Sequence, residues 1–264
     1  MVSVGWSLPP PEEEVEVLRR RLGTVSSDSA VGLLEQAEAM WESLRNFPER
    51  RSQYGNLAAD LSRAYRLQAD YDQAATKAEI AIEVGRTLDE AKLEALGHNA
   101  LGGVYWRRGD YALVWREWLA ALSLRESVGD EAGIAATYSN MGILLDEQGD
   151  YPGALDYYTR ALEIDRRIGS DTLEIAATIN NIGTVHQVLE DYGLALRHYR
   201  ESLALRESES DERGIATSLT NIGSALKMVG DFDAARAAFD RALKIRRKAS
   251  DMRGIASTLA ELGS

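Results

Sequence analysis

Histidine, cysteine and serine patterns that support catalysis are missing from this sequence. Its three histidines are His98, His186 and His198, and no two are four residues apart, so the common helical zinc pattern is absent. There is no cysteine, no Gly-x-Ser-x-Gly nucleophile motif and no Gly-Lys-Ser/Thr phosphate loop. We therefore expect no catalytic residue, no metal and no cofactor, and predict that the protein is not an enzyme.

Asparagine is the polar residue whose positions are regular. Asn140, Asn181 and Asn221 are separated by 41 and 40 residues, and each stands two residues before a glycine. A side-chain amide donates and accepts hydrogen bonds at once, so three stacked amides could bond the backbone of an extended peptide. The sequence leaves a second interpretation open, in which the amides bond neighbouring helices and only hold the stack together.

The asparagines belong to a repeat of about 40 residues. A dipeptide ending in Asp recurs at steps of 40, 41 and 40 residues, as Gly109-Asp110, Gly149-Asp150, Glu190-Asp191 and Gly230-Asp231. Eight residues before each Asp there is a glycine, at positions 102, 142, 183 and 223. This period is typical of stacked helix pairs, in which each unit buries its apolar face only against its neighbours.

Within each unit the residue types predict where the helices cross and end. Small residues such as Gly142, Ala154 and Ala161 allow the two helices of a unit to approach closely, while the large Tyr158 is expected to pack toward the neighbouring unit. The residues equivalent to Tyr158 are Trp118, Tyr199 and Phe239. The pair Gly149-Asp150 predicts a left-handed end to the first helix and a capped start to the second.

The clearest unit resembles the tetratricopeptide repeat. It reads Tyr138-x-x-Met141-Gly142-x-x-Leu145, followed by Ala154-x-x-x-Tyr158-x-x-Ala161. HEAT repeats share the long period, but this signature favours the tetratricopeptide family, in the variant of about 40 residues found in kinesin light chains, spindle-orientation adaptors and bacterial peptide-receptor regulators. The resemblance covers residues 52–264 and implies an all-α, right-handed superhelical solenoid of antiparallel helix pairs.

The repeat divides the chain into four segments. We predict a flexible arm at 1–11, a degenerate N-terminal helical pair or cap at 12–51, five tetratricopeptide repeats at 52–251, and the first helix of an incomplete repeat at 252–264. In that last helix Ile255, Leu259 and Leu262 form an apolar face. We expect this face to contact either a downstream domain of a longer native chain or a second copy in a homodimer.

Charge and hydropathy restrict partners and location. The 264 residues carry a formal net charge of −12, with 42 acidic against 30 basic residues, so nucleic acid is not expected as a partner. The N-terminus lacks a basic region followed by an apolar run, and no stretch approaches a membrane span. We expect a cytoplasmic protein with no membrane partner.

The resemblance also implies a binding surface, because the first helices of tetratricopeptide units line the concave groove and Asn at the matching position contacts peptides. The groove residues predicted beside Asn140, Asn181 and Asn221 are Asn180, Thr184, Gln187, Lys227 and Arg107. The paired Asn and Lys set that clamps a terminal carboxylate is not reproduced. The predicted function is a non-enzymatic scaffold that binds a protein or peptide. The alternative is a sensory or regulatory module of a bacterial signalling protein, with a diguanylate cyclase, histidine kinase or transcription-regulator output following Ser264.

Overall fold

The computed structural model describes residues 9–24 and 30–263, which form thirteen α-helices and no strand. The chain divides into two compact units, residues 1–133 and 134–264, and each is described by itself. Residues 1–8 of the arm predicted at 1–11 lie outside the described residues.

The first unit contains six helices and a short 3₁₀ turn, Pro48–Arg50. The helices are α1 (Glu12–Thr24), α2 (Ala30–Leu44), α3 (Arg51–Leu67), α4 (Tyr71–Leu88), α5 (Ala91–Arg108) and α6 (Tyr111–Ser127). In this unit α3 packs on α4, α4 on α5 and α5 on α6. The core is continuous from Val15 of α1 through Trp41 of α2 to Leu93 of α5, so the N-terminal helices share the apolar interior of α3 and α4.

The second unit begins inside α7 (Glu131–Glu147), just after Gly133. It continues with α8 (Tyr151–Ile168), α9 (Thr172–Val188), α10 (Tyr192–Ser208), α11 (Glu212–Met228), α12 (Phe232–Lys248) and α13 (Met252–Gly263). From α8 onward each helix packs on the next, and α11 also contacts α9 and α13. We call α3, α5, α7, α9, α11 and α13 first helices, and the even-numbered helices from α4 second helices.

Helix length and turn length agree with the sequence pattern. The ten helices from α3 to α12 each contain 17 or 18 residues, so two helices and two short turns fill the period of about 40 residues. Because turns of two or three residues join them, consecutive helices run antiparallel. The all-α class and the stacking of antiparallel helix pairs are thus confirmed within each unit.

The predicted turn chemistry is also confirmed. Gly149 has φ 78°, the left-handed conformation that glycine adopts without a Cβ clash, and the Asp150 carboxylate accepts a hydrogen bond of 3.1 Å from the Gly153 N–H. Asp70, Asp191 and Asp231 cap their helices in the same way.

Left-handed residues occur twice in every repeat, not once. Five are glycines, at positions 109, 129, 149, 169 and 230, and five are not, namely Ala69, Asp89, Glu190, Ser210 and Ser250. The turn between one repeat and the next therefore needs the same backbone conformation as the turn within a repeat. The Gly-Asp motif indicated only some of these turns, because half of them tolerate a side chain at φ of 54–62°.

Ala69→Gly is expected to raise the free energy of unfolding by about 0.5–1 kcal/mol. At φ 59° the alanine Cβ is strained, and removing it gains more than the added flexibility of the unfolded chain costs. Gly149→Ala is the matched control and should lose a similar amount. Urea unfolding of both variants checks the sign. Equal destabilisation by the two substitutions would contradict the assignment of strain at Ala69.

Each first-helix glycine of the consensus lies against an aromatic ring. A Cβ at Gly142 would stand 2.7 Å from two ring carbons of Tyr158, and Gly183 and Gly223 have the same relation to Tyr199 and Phe239 at 2.8 and 2.6 Å. The three rings are each 1% exposed. The glycine thus makes room for the aromatic side chain of its own helix pair. This corrects the prediction that the glycine permits close backbone approach and that the ring packs toward the next unit.

Arginine, aspartate and glycine meet at the turns between successive pairs of the second unit. Between α10 and α11, Arg206 Nη1 lies 3.1 Å from Asp211 Oδ2, and the other carboxylate oxygen accepts a 3.0 Å hydrogen bond from the Gly214 N–H. Part of the arrangement recurs 40 residues later, where the Arg246 guanidinium donates to the Gly254 carbonyl and the Asp251 carboxylate accepts a 2.9 Å hydrogen bond from the Gly254 N–H. The spacing of 40 residues therefore repeats an Asp-capped helix start with an arginine beside it, as well as the helix pattern.

Candidate functional site

Seven of the eight predicted groove residues lie in the second unit, on the first helices α7, α9 and α11. They are Asn140, Asn180, Asn181, Thr184, Gln187, Asn221 and Lys227. The eighth, Arg107, lies in α5 of the first unit, where it is exposed and its guanidinium carbon is 5.4 Å from the centre of the Trp106 ring.

The asparagine side chains on α9 and α11 differ in whether they are hydrogen-bonded within the protein. Asn221 Nδ2 donates a 3.1 Å hydrogen bond to Asn180 Oδ1, which joins α11 to α9. Asn180 is only 9% exposed, so its side chain serves this contact between repeats. Asn181 is half-buried and its side chain has no hydrogen-bond partner within residues 9–24 and 30–263, which leaves its donor and acceptor open. Of the two adjacent amides on α9, Asn180 therefore links α9 to α11, and Asn181 is unpaired among the described residues.

Thr184 and Gln187 are both engaged by the ring of Tyr199 from α10. The Tyr199 hydroxyl donates to Gln187 Oε1 at 3.0 Å and lies 3.4 Å from Thr184 Oγ1. Thr184 itself donates 3.1 Å to the Asn180 carbonyl. Burial is the main reason that the pKa of Tyr199 is raised, with a further contribution from the charge of Asp146.

Tyr199→Phe is expected to lower the free energy of unfolding by about 1 kcal/mol, because it removes the hydroxyl that bonds Gln187 and leaves that amide oxygen without its partner. Tyr158→Phe removes the equivalent hydroxyl from α8, which has no partner within the described residues, and should change stability by less than about 0.5 kcal/mol. Denaturant titration of both variants distinguishes them. Equal losses would contradict the hydrogen-bond assignment.

Lys227 points to the last helix. Its ammonium donates 3.0 Å to the Glu261 carbonyl and lies 3.8 Å from the Glu261 carboxylate, which also accepts 2.9 Å from Ser224 Oγ. The contacts fasten α13 to α11. On the other side of α13, Leu259 and Leu262 are 45% and 38% exposed.

Asp146 on α7, unlike Gln187 and Lys227, makes no hydrogen bond or ion pair among the described residues. It occupies the position of Gln187 and Lys227 in the preceding repeat. Its carboxylate has neither an ion pair nor a hydrogen bond within the part of the chain that the structure describes. Burial and, second, the adjacent charge of Glu147 raise the pKa of Asp146.

The histidines are accounted for by packing. The rings of His186 and His198 stack with centroids 5.5 Å apart and planes 6° from parallel, and burial together with His186 lowers the pKa of His198. In the first unit His98 Nδ1 lies 2.7 Å from the buried Glu117 carboxylate. Among the described residues, no three His, Cys, Asp or Glu side chains converge to hold a metal ion, and no helix is long and apolar enough to cross a membrane.

Two polar groups at this site, the Asp146 carboxylate and the Tyr158 hydroxyl, are not among the predicted groove residues. The sequence predicts a packing role for Tyr158, and its exposure of 1% agrees with that role. A signal was present in the alignment of repeats, because Phe239 has no hydroxyl at the place where Tyr158 and Tyr199 have one. Packing at this position therefore requires only the aromatic ring, and the Tyr158 hydroxyl is available to bond a ligand.

Comparison with solved structures gives the fold. The structure of BtubC (BKLC) from P. vanneervenii is 22% identical with TM-score 0.70, and the match covers 88% of this chain and 92% of that chain. The STAND protein PH0952 from Pyrococcus horikoshii, described as having a tetratricopeptide repeat sensor, is 13% identical with TM-score 0.73 and coverage of 96% and 40%. NprR, solved in complex with its cognate peptide NprX, is 14% identical with TM-score 0.58 and coverage of 89% and 67%.

Comparison by sequence gives the family. No curated protein matches the chain. The family model for the tetratricopeptide repeat matches residues 93–167 and 174–248, which together are more than half of the sequence. The matched segments cover α5 to α12 with little interruption, including the glycine, aromatic and Asp positions described above. The chain belongs to the tetratricopeptide repeat family.

Proposed function

We propose that this chain is a non-enzymatic scaffold that binds a protein or peptide along the first helices α7, α9 and α11. The observation that carries the proposal is the half-buried amide of Asn181, whose donor and acceptor are unpaired among the described residues. An amide whose donor and acceptor are not used within the protein can bond a ligand, and an extended peptide backbone supplies the complementary acceptor and donor.

Neighbouring groups support an extended ligand. Asn140 on α7 and Asn221 on α11 are half-buried and equivalent to Asn181 in the repeat, so the three amides follow the direction in which the helices stack. NprR, which shares the fold, was solved with a bound peptide. At 14% identity this relation supports the same class of ligand without indicating its sequence.

Asn181→Ala is expected to weaken peptide binding about threefold to tenfold, which corresponds to roughly 0.5–1.5 kcal/mol for one hydrogen bond. Its unfolding free energy should stay within about 0.5 kcal/mol of the wild type, because no internal bond is lost. A peptide selected from a random library on the wild-type protein serves as the probe, and fluorescence anisotropy gives its affinity.

Asn221→Ala is the matched control, since it breaks the bond to Asn180 and should lower stability by about 1 kcal/mol. If Asn181→Ala destabilises the protein and leaves affinity unchanged, the amides hold the stack together and do not bind. If no peptide is selected by the wild type, the proposed function itself is wrong.

A second candidate function is a sensory or regulatory module of a longer signalling protein, with its output domain after Ser264. It is favoured by the P. horikoshii STAND protein, in which a tetratricopeptide sensor belongs to a chain that this one covers to only 40%. The reading frame downstream of residue 264 tests it. An open frame that encodes a cyclase, kinase or DNA-binding domain supports the module, and a stop codon directly after Ser264 contradicts it.

The apolar side of α13 is proposed to contact a partner, either such a downstream domain or a second copy of the chain. Ile255 is half-buried, whereas Leu259 and Leu262 are 45% and 38% exposed. Light scattering on this chain distinguishes the two partners. A dimer that Leu259→Glu dissociates supports self-association, and a monomer leaves the downstream domain as the proposed partner.

A further inference from the structure

Asp146 occupies a position at which the two following repeats have a polar side chain that is hydrogen-bonded within the protein. At the equivalent place in the next repeat, Gln187 accepts the Tyr199 hydroxyl at 3.0 Å. One repeat further, Lys227 donates to the Glu261 carbonyl at 3.0 Å, and the facing ring is Phe239. Asp146 alone of these three side chains has no hydrogen bond or ion pair within the described residues.

The Tyr158 hydroxyl is the second open group, and it is observed independently of the carboxylate. The side chain is 99% buried by packing against Gly142, yet its hydroxyl has no hydrogen-bond partner within residues 9–24 and 30–263. Part of the surface of this hydroxyl oxygen is accessible to solvent. A polar atom on an otherwise buried ring is thereby directed outward.

The two groups are close to each other. Asp146 and Tyr158 each stand 41 residues before Gln187 and Tyr199, and those two side chains are in hydrogen-bond contact at 3.0 Å. In agreement with this placement, the charge of Asp146 adds to burial in raising the pKa of Tyr158. Carboxylate and phenol oxygens therefore share one partly desolvated place beside the first helix α7. The charges facing it from α7 are both negative, and the groups contributed by α8 and α10 are the neutral phenols of Tyr158 and Tyr199.

We propose that Asp146 and the Tyr158 hydroxyl form a subsite for a basic side chain, lysine or arginine, of the peptide ligand. The inference rests on the proposed function and adds the class of residue that the ligand presents. The ammonium or guanidinium donates one hydrogen bond to the Asp146 carboxylate and another to the Tyr158 oxygen, and Glu147 adds a second negative charge. Partial burial strengthens the attraction relative to an exposed ion pair, because less water screens it.

An N-acetylated hexapeptide library tests the subsite, since acetylation leaves side chains as the only source of a positive nitrogen. We expect the wild type to enrich lysine or arginine at one position. A selected peptide should bind about tenfold more tightly than its copy with norleucine at that position, as one charge-assisted hydrogen bond implies. In Asp146→Asn this ratio should fall below about threefold, and Tyr158→Phe should give an intermediate ratio.

Glu163→Gln is the matched control. It removes one negative charge from an exposed position of α8 that has no partner among the described residues, so it should leave the ratio at about tenfold. Circular dichroism melts of the variants establish that each is folded. The preference should also decrease toward acidic pH, because protonation of Asp146 removes the charge that the ligand contacts.

The outcomes separate this inference from the function on which it rests. Peptides selected without a basic preference, or with a preference that survives in Asp146→Asn, contradict the subsite and leave the scaffold function intact. An equal loss of preference in Glu163→Gln would show that the net charge attracts basic peptides and would overturn the subsite. A protein that selects no peptide contradicts both proposals.

Discussion

Gly142→Leu should lower the free energy of unfolding by about 2–3 kcal/mol. The new side chain would begin at a Cβ 2.7 Å from the Tyr158 ring, which is 1% exposed and has no space into which to move. The helices α7 and α8 must then separate, which reduces the apolar contact between them. Urea unfolding followed by circular dichroism measures the loss.

The matched control is Gly193→Leu, at an exposed position in α10 where the nearest atom to an added Cβ is Asp191 Oδ1 at 3.9 Å. Its stability should change by less than about 0.5 kcal/mol. The double variant Gly142→Leu/Tyr158→Ala is expected to be more stable than the sum of the two single losses predicts, because leucine partly fills the space left by the ring. Additive losses would contradict direct contact between the two positions.

Gly214→Ala should lower stability by about 1–3 kcal/mol although only one methyl group is added. A Cβ at this position would overlap both the Arg206 guanidinium and the Asp211 carboxylate, so the arginine must leave its place at the turn between α10 and α11. The turn then loses an ion pair that is largely shielded from water, with side chains 14% and 23% exposed. Hydrogen exchange at the start of α11, combined with urea unfolding, measures the effect.

Gly193→Ala provides the comparison for this substitution. It lies in a helix with free space beside it, so its stability should be unchanged or raised by up to about 1 kcal/mol. Arg206→Ala combined with Gly214→Ala should cost less than the two single changes together, since the first removes the side chain with which the methyl group collides. If Gly214→Ala is as stable as the wild type, the turn does not depend on the position of Arg206.

The two glycines have different reasons for their size. Gly142 gives space to a ring from its own helix pair, and Gly214 gives space to charged groups at the joint with the preceding pair. Neither has a positive φ, so neither is required for backbone conformation. The repeat formed by α11 and α12 contains one glycine of each kind, Gly223 for the core and Gly214 for the joint, and substitutions at them should affect stability.

The helices, their lengths and half of the turns could be predicted from the sequence. The reason is that these features depend on residues close together along the chain. Gly149 can adopt φ 78° and Asp150 can bond an N–H three residues later, whatever the rest of the protein does. The turns at Ala69 and Ser210 could not be identified in this way, because neither residue prefers a left-handed conformation and the packing of the adjacent helices imposes it.

The sequence by itself determined the family, the register of the repeat and the position of the amides at Asn140, Asn181 and Asn221. Only the tertiary structure decided which polar groups are already used. Asn221 bonds Asn180 from 41 residues away, whereas Asn181, the next residue, has no partner among those described. A hydrogen bond requires its two atoms within about 3 Å, and that distance is set by how helices from different repeats pack, which periodicity along the chain does not specify.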